Sequence, residues 1–138
     1  MDSLKITTFQ AYLFWENCEK NLQNLALRLS AIREKTDLIV LPEMFNTGFS
    51  MNTEKLAEEM GGTTMQWMQH QARKYEAVVT GSLIIKENDR FYNRLIWMRP
   101  DGSFEQYDKR HLFSLANEDD QFTPGNRKFY IDLYGWKI

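Results

Sequence analysis

A short, unbroken run of apolar residues constrains the fold of this chain more than any other feature. Residues 38–41 are all apolar, Asp37 precedes them, and Pro42 ends the run. Such a run after a predicted helix indicates a strand buried on both faces, as in a parallel sheet. Residues 77–85 predict a second buried strand. The two runs favour an α/β fold in which helices pack on a sheet.

Helix and strand patterns surround these two runs. Helical spacing of apolar residues predicts a helix over residues 17–34, with Asn17 as its N-cap. The pattern Thr63-x-x-Gln66 predicts a capping box at the start of a helix that ends near Tyr75. Later hairpins indicate a mixed sheet. Further strands are predicted over residues 4–8, 91–98 and 104–107.

The last residues alternate like a strand and then turn. Phe129, Ile131 and Leu133 alternate, and Tyr134 with Gly135 is typical of a turn. Residues 136–138 resume the alternation, but three residues are too few for a useful return strand. We therefore expect the sequence to end within an element.

Composition excludes several classes of protein. A formal net charge of −2 over 138 residues provides no concentrated basic face for nucleic acid. The single cysteine, Cys18, excludes an internal disulfide framework and a multi-cysteine metal site. Residues 77–85 are too short and too polar to span a bilayer, and the N-terminus lacks the layout of a signal peptide. We expect a cytoplasmic protein with no nucleic-acid or membrane partner.

Glu43 is a candidate catalytic base because it directly follows the first buried run. Open α/β sheets place their sites at the carboxyl ends of strands. A carboxylate beside Met44 and Phe45 is partly desolvated and suited to accept a proton. The alternative is a solvated glutamate on a loop, which is the commoner place for this residue type.

Lys109 and Glu118 are further candidates in a long polar stretch, residues 108–127. A loop of this length within a compact domain is usually functional. A fixed Lys109 ammonium can stabilise an oxyanion, and Glu118 can serve as a second acid. The alternatives are a mixed-charge surface turn for Lys109 and a solvated acidic loop for Glu118, and the residues alone leave both open.

The histidines and the cysteine predict no site of their own. His70 and His111 are not at metal-ligand spacing. Cys18 lies in the first turn of the predicted first helix, where a thiol pKa can be lowered, but no histidine lies nearby in sequence. We interpret Cys18 as incidental to catalysis.

Four segments of the chain follow one another in a recognisable order. They are residues 38–45 around Glu43, residues 91–93 with 100–102, residues 108–113 around Lys109, and residues 118–125 from Glu118 to Gly125. In this order and spacing they resemble the motifs of the nitrilase (carbon–nitrogen hydrolase) superfamily over nearly the whole chain. Residues 47–49 and 109–113 look most like the ω-amidase branch, whose members hydrolyse α-keto acid ω-amides such as α-ketoglutaramate.

The resemblance implies a fold, a mechanism and a partner. The fold is an α-β-β-α sandwich that usually pairs into a homodimer. Glu43 corresponds to the general base, Lys109 to the group that stabilises the tetrahedral intermediate, and Glu118 to the residue that orients Lys109 or the substrate. A cysteine attacks the amide carbon of a small substrate, ammonia leaves, and water hydrolyses the thioester. No metal or organic cofactor is required.

One departure from the family pattern concerns the nucleophile. The family's cysteine follows a strand that begins near residues 136–138, and Cys18 matches no catalytic position. We therefore expect residues 1–138 to be the N-terminal portion of a single hydrolase domain, to lack the nucleophile, and to be inactive alone. The rival hypothesis is a non-catalytic protein of the same fold that binds a ligand or pairs with a partner through an open sheet edge.

Overall fold

A five-stranded sheet organises the fold. The computed structural model describes residues 3–138. The elements in chain order are β1 Ile6–Thr8, α1 Cys18–Leu29, β2 Leu38–Val40, α2 Thr53–Leu56, α3 Thr63–Tyr75, β3 Val78–Glu87, β4 Arg90–Met98, β5 Phe104–Asp108, α4 Glu118–Gln121, β6 Asp132–Leu133 and β7 Trp136–Lys137.

The sheet is mixed, as predicted. Its strand order is β1-β2-β3-β4-β5, with parallel pairing from β1 to β3 and antiparallel pairing from β3 to β5. The two apolar runs form β2 and β3, at the centre of the parallel part. Leu38 and Ile39 are buried, and so are residues 78–85 of β3. The unbroken runs arise because both faces of these strands are covered.

Helices α1 and α3 cover one face of the sheet. Leu25 and Leu29 of α1 are fully buried against the core that also holds Met68 of α3. Asn17 caps α1 as predicted, since its side chain accepts the Lys20 N–H. The predicted end at residue 34 is wrong: α1 ends at Leu29, because the charged residues 33–35 are exposed and add no apolar face. In the described part of the chain no helix is long and apolar enough to cross a membrane.

The start of α3 differs from the predicted capping box. Gly62 is the N-cap, and Thr63 is already the first helical residue. The Thr64 N–H instead donates to the Glu58 carboxylate at 2.8 Å, and the Gln66 side chain donates to the Gly61 carbonyl. A carboxylate suits this place because the N–H groups of the first helical turn have no partner within the helix.

A small hairpin covers part of the opposite face of the sheet. Ile131 and Leu133 are buried against Trp97 of β4. The expectation that residues 136–138 would form no return strand is wrong, because β7 pairs antiparallel with β6. Tyr134 and Gly135 have φ values of 54° and 86°, which suit the tight turn of a two-residue hairpin.

The long polar stretch contains short ordered pieces. A 3₁₀ turn occupies Ser114–Ala116, and α4 follows it directly at Glu118–Gln121. Their backbone N–H groups find partners within the stretch, including the Phe122 N–H, which donates to the Glu118 carbonyl. The predicted loop of residues 108–127 is therefore a structured connection, and it holds Lys109 and Glu118.

Candidate active site

The three residues singled out in the sequence meet at one place. The Lys109 ammonium donates to Glu43 Oε1 and to Glu118 Oε2, each at 2.9 Å. Glu43 and Lys109 are 66 positions apart in sequence. Glu43 follows β2, and Lys109 follows β5. The solvated-loop alternative for Glu118 does not hold, because Glu118 is fully buried. The surface-turn alternative for Lys109 does not hold either, because Lys109 is bound to Glu118.

A fourth polar residue completes the cluster. Asn93 on β4 is 2% exposed, and its Nδ2 donates to Glu43 Oε1 at 2.8 Å and to Glu118 Oε1 at 3.0 Å. In the sequence, Asn93 stands out only as part of a hairpin motif. The available signal was an asparagine within a strand otherwise rich in apolar and aromatic residues, where asparagine is normally depleted.

A strained backbone turns Glu43 into the site. Met44 has φ of 47°, a left-handed conformation that is uncommon for a bulky residue. The Met44 N–H donates to Ser82 Oγ at 3.0 Å, and the Met44 side chain is fully buried. Because the neighbouring strand β3 supplies this acceptor, the direction of the chain immediately after Glu43 is fixed.

Pairing of backbone groups places Lys109. Its N–H donates to the Asn93 carbonyl at 2.9 Å, so the end of β5 stays in register with β4. On the other side, the Gly125 N–H donates to the Lys109 carbonyl at 2.9 Å. A Cβ on Gly125 would lie 2.1 Å from the Asp108 carbonyl oxygen, so only glycine permits this approach.

The two glutamates differ in how their oxygens are used. Both oxygens of Glu118 are occupied, since Oε2 also accepts the Phe113 N–H at 2.7 Å. Glu43 receives both of its donors on Oε1, and its side chain is 48% exposed. Within residues 3–138, Glu43 Oε2 has no hydrogen-bond donor. Glu43 therefore has one oxygen available to a reactant, whereas Glu118 has none.

The cluster keeps Lys109 and Glu118 charged. Burial would raise the pKa of Glu118, but the hydrogen bonds from Lys109, Asn93 and the Phe113 N–H lower it below the ordinary value. Burial would lower the pKa of Lys109, but Glu118 and Glu43 raise it above the ordinary value. The site thus holds a fixed ammonium that can stabilise a developing oxyanion.

A cavity of about 240 Å³ opens beside the cluster. Glu43, Asn93 and Lys109 form its polar end. The Phe49 ring lies 5.3 Å from the Lys109 ammonium, within the range of a cation–π contact. The rest of the lining consists of residues from β2, β3, β4 and β5 and the start of the loop after β2: Val40, Leu41, Thr80, Gly81, Ser82, Leu95 and Tyr107.

Cys18 lies outside this cavity. Its Sγ is 3.6 Å from Thr64 Oγ1, and it lines a separate groove between α1 and α3. Burial raises the pKa of the Cys18 thiol, and its hydrogen bonds with Thr64 and Asn46 offset only part of this effect. Cys18 therefore lacks the lowered pKa of an activated thiol.

Neither histidine approaches the cluster. His70 and His111 are both exposed. Among residues 3–138, no group of three or more histidine, cysteine, aspartate and glutamate side chains is arranged to hold a metal ion. The chemistry that the site offers is proton transfer at Glu43 beside a fixed positive charge.

The chain is similar in sequence to known carbon–nitrogen hydrolases. The chain matches the family model described as carbon-nitrogen hydrolase over residues 5–138. It is 36% identical to the omega-amidase YafV of Yersinia enterocolitica, over 100% of this chain and 53% of that protein. It is 27% identical to the 2-oxoglutaramate amidase of Bacillus subtilis, over 96% of this chain and 52% of that protein. The chain spans about half the length of the curated relatives it matches.

Solved structures show the same fold. XC1258 from Xanthomonas campestris, a CN-hydrolase superfamily protein, superposes with a TM-score of 0.94 at 35% identity, over 99% of this chain and 52% of that one. Saccharomyces cerevisiae Nit3, a member of branch 10 of the nitrilase superfamily, gives 0.81 at 25% identity, over 97% of this chain and 53% of that one. The family model, the relatives and the fold agree, and the chain belongs to the carbon–nitrogen hydrolase family of the nitrilase superfamily.

Proposed function

We propose that the full-length protein carrying this chain hydrolyses the amide bond of a small substrate and releases ammonia. The observation that carries the proposal is the Glu43 carboxylate, which has one oxygen bonded to Lys109 and the other free within residues 3–138, at the polar end of a cavity. Similarity to proteins named omega-amidase and 2-oxoglutaramate amidase supports it. The rival hypothesis of a non-catalytic binding protein has no comparable support.

The first half of the proposed reaction forms a thioester. Glu43 Oε2 takes the proton of a cysteine thiol, and the thiolate attacks the amide carbon. The carbonyl oxygen becomes an oxyanion, which the Lys109 ammonium stabilises. Protonated Glu43 returns its proton to the amide nitrogen, the carbon–nitrogen bond breaks, and ammonia leaves.

The second half regenerates the enzyme. Glu43 takes a proton from water, and the resulting hydroxide attacks the thioester carbon. The carbon–sulfur bond breaks, the thiolate recovers a proton from Glu43, and the acid product leaves. Glu118 accepts a hydrogen bond from Lys109 and holds it in place throughout the reaction. Because both Glu118 oxygens are already occupied, neither is available to a reactant.

The proposed substrate is an α-keto acid ω-amide. Two relatives carry names that indicate this class. A cavity of about 240 Å³ with apolar walls and one polar end fits a short chain with a terminal amide. The amide would lie against Glu43 and Lys109, and the carbon chain against Leu95 and Tyr107.

The nucleophile in this proposal is a cysteine outside these 138 residues. Cys18 is the only thiol within them, and it lies in the groove between α1 and α3. The 138-residue chain by itself would then release no ammonia. We also propose, from the family resemblance, that the full-length protein is a cytoplasmic homodimer.

Ammonia release from α-ketoglutaramate by the full-length protein tests the function. Glu43→Gln should lower kcat by about 10²–10⁴-fold, because the isosteric amide cannot take a proton. Lys109→Ala should lower kcat by about 10²–10³-fold through loss of oxyanion stabilisation. Cys18→Ser should retain activity.

Glu54→Gln is the matched control, because Glu54 is an exposed glutamate on α2. Its turnover should equal that of the wild type. Near-UV circular dichroism should show that Glu43→Gln is folded. Full turnover by Glu43→Gln, or loss of turnover in Cys18→Ser, would contradict the assignment of roles.

A further inference from the structure

The Asn93 amide group bridges the two glutamates of the site. Its Nδ2 carries two hydrogens, and the two hydrogen bonds go to Glu43 Oε1 at 2.8 Å and Glu118 Oε1 at 3.0 Å. Both acceptors are carboxylate oxygens, so only the nitrogen of the side-chain amide can face them. Asn93 is 2% exposed, and water therefore cannot readily replace these two hydrogen bonds.

Two carboxylates this close create a problem that the lysine alone does not solve. Both Oε1 atoms lie within 3.0 Å of the same nitrogen, and Lys109 supplies one positive charge for two negative ones. Neighbouring carboxylates tend to share one proton, because two like charges at short range are unfavourable. A shared proton would remove the base.

Asn93 separates the glutamates without offering a proton. An amide N–H donates a hydrogen bond but does not ionise in this pH range, so it stabilises both charged carboxylates. Its hydrogen bond, together with that of Lys109, occupies Glu43 Oε1 and leaves Oε2 as the free oxygen. The choice of reactive oxygen therefore follows from the position of Asn93.

We infer that Asn93 is a positioning residue that prevents Glu43 and Glu118 from sharing a proton and directs Glu43 Oε2 toward the reactants. This inference rests on the proposed function for its kinetic consequence. Its electrostatic consequence stands independently, since it concerns only the proton uptake of Glu118.

The kinetic test uses Asn93→Leu, which removes both N–H donors while keeping a similar volume. We expect kcat for ammonia release to fall about 100-fold, because the base is misplaced, while KM changes less than about threefold. The acid limb of the pH profile of kcat/KM should move to higher pH. Asn93→Asp, which adds a third carboxylate, should move it further in the same direction.

The control is Asn126→Leu, at an exposed asparagine outside the site. A residue with a merely structural role would lower the yield of folded protein but leave kcat per folded enzyme and the pH profile unchanged. That result for Asn93→Leu would overturn the inference. If Asn93→Leu does not fold, Asn93→Ala, which also removes both N–H donors and adds no charge, provides the same pH readout.

A titration separates this inference from the proposed function. The Glu118 carboxyl carbon can be followed by ¹³C NMR in the full-length protein and assigned with Glu118→Gln. Removing Asn93 should raise the pKa of Glu118, because Asn93 is one of the donors that lower it. An unchanged titration overturns the role of Asn93, even in an active amidase. A raised pKa in a protein that hydrolyses no amide contradicts the proposed function alone.

Discussion

Ser82 supports the catalytic candidate Glu43 through one backbone hydrogen bond. Its hydroxyl accepts the Met44 N–H at 3.0 Å, at the residue where the chain takes a left-handed turn. Met44 is fully buried, and its N–H loses its hydrogen-bond partner if the hydroxyl is removed. The strain at Met44 is thus held by its surroundings, as is common at functional sites.

Ser82→Ala should lower both stability and turnover. An unpartnered buried N–H costs about 1–3 kcal/mol, and urea unfolding of the full-length protein would measure this loss. Turnover of α-ketoglutaramate should fall as well, because Glu43 is adjacent to Met44. Ser3→Ala, at an exposed serine, is the control. Wild-type stability in Ser82→Ala would show that Met44 is held by other contacts.

Asn93 shows how sequence reasoning was limited at the residue scale. The buried apolar run before it marks Glu43, and a long polar stretch marks Lys109 and Glu118, whose motifs also resemble a known family. The contacts of Asn93 are with residues 50 and 25 positions away, and no local pattern encodes them. A long-range hydrogen bond becomes visible only once the strands are in register.

Strands β4 and β5 bear the site on one face and an ion pair on the other. Arg94 of β4 and Asp108 of β5 pair directly in the sheet. Arg94 follows Asn93 in the sequence, and Asp108 precedes Lys109. Arg94 is 2% exposed and donates to Asp108 Oδ1 at 2.6 Å and to Glu87 Oε1 at 3.2 Å. A register slip by one residue would turn Lys109 away from the cavity, so this pair helps to specify the site.

Asp108→Ala should destabilise the protein by about 3 kcal/mol, because it removes one carboxylate partner of the buried Arg94. Glu87 still faces Arg94 and keeps the loss at the low end of the range. Turnover should fall too, since Lys109 adjoins Asp108. The matched control is Glu105→Ala, on the same strand as Asp108, which breaks a partly exposed pair with Arg99 and should cost about 1 kcal/mol or less. Equal losses in thermal unfolding would refute a special role for Asp108.

The elements themselves were predictable where the pattern was local. The apolar runs and the helical spacing predicted β2, β3 and the core of α1 and α3. The cap of α3 was not predictable, because Glu58 reaches the Thr64 N–H from outside the helix. The alternation of residues 129–133 and the turn at Tyr134 and Gly135 were predictable. The return strand β7 was not, because a two-residue strand is too short to show a period.

Taken as a whole, the molecule couples its stability to pH through the site. The lowered pKa of Glu118 means that its contribution to stability is present above the ordinary glutamate pKa and is lost as pH falls through the folded value. The raised pKa of Lys109 means that its contribution is present below the ordinary lysine pKa and is lost as pH rises through the folded value.

Glu118→Gln should flatten the acid side of this dependence. Urea unfolding of the full-length protein at a series of pH values should give a free energy of unfolding that falls less steeply toward acid than in the wild type. Asp119→Asn, at the exposed neighbouring carboxylate, should preserve the wild-type slope. An unchanged slope in Glu118→Gln would mean that the protonation of Glu118 is not linked to folding.

The hydrogen bond between Lys109 and Glu43 has a consequence for how charge is distributed during the proposed reaction. Two carboxylates and one ammonium give the resting cluster a single net negative charge. When Glu43 takes the thiol proton and the oxyanion forms, one negative charge disappears from Glu43 and another appears on the substrate, so the total is unchanged. Lys109 then exchanges one negative partner for another within its reach. Little reorganisation of surrounding dipoles is needed, because the charge moves only across the width of one cavity.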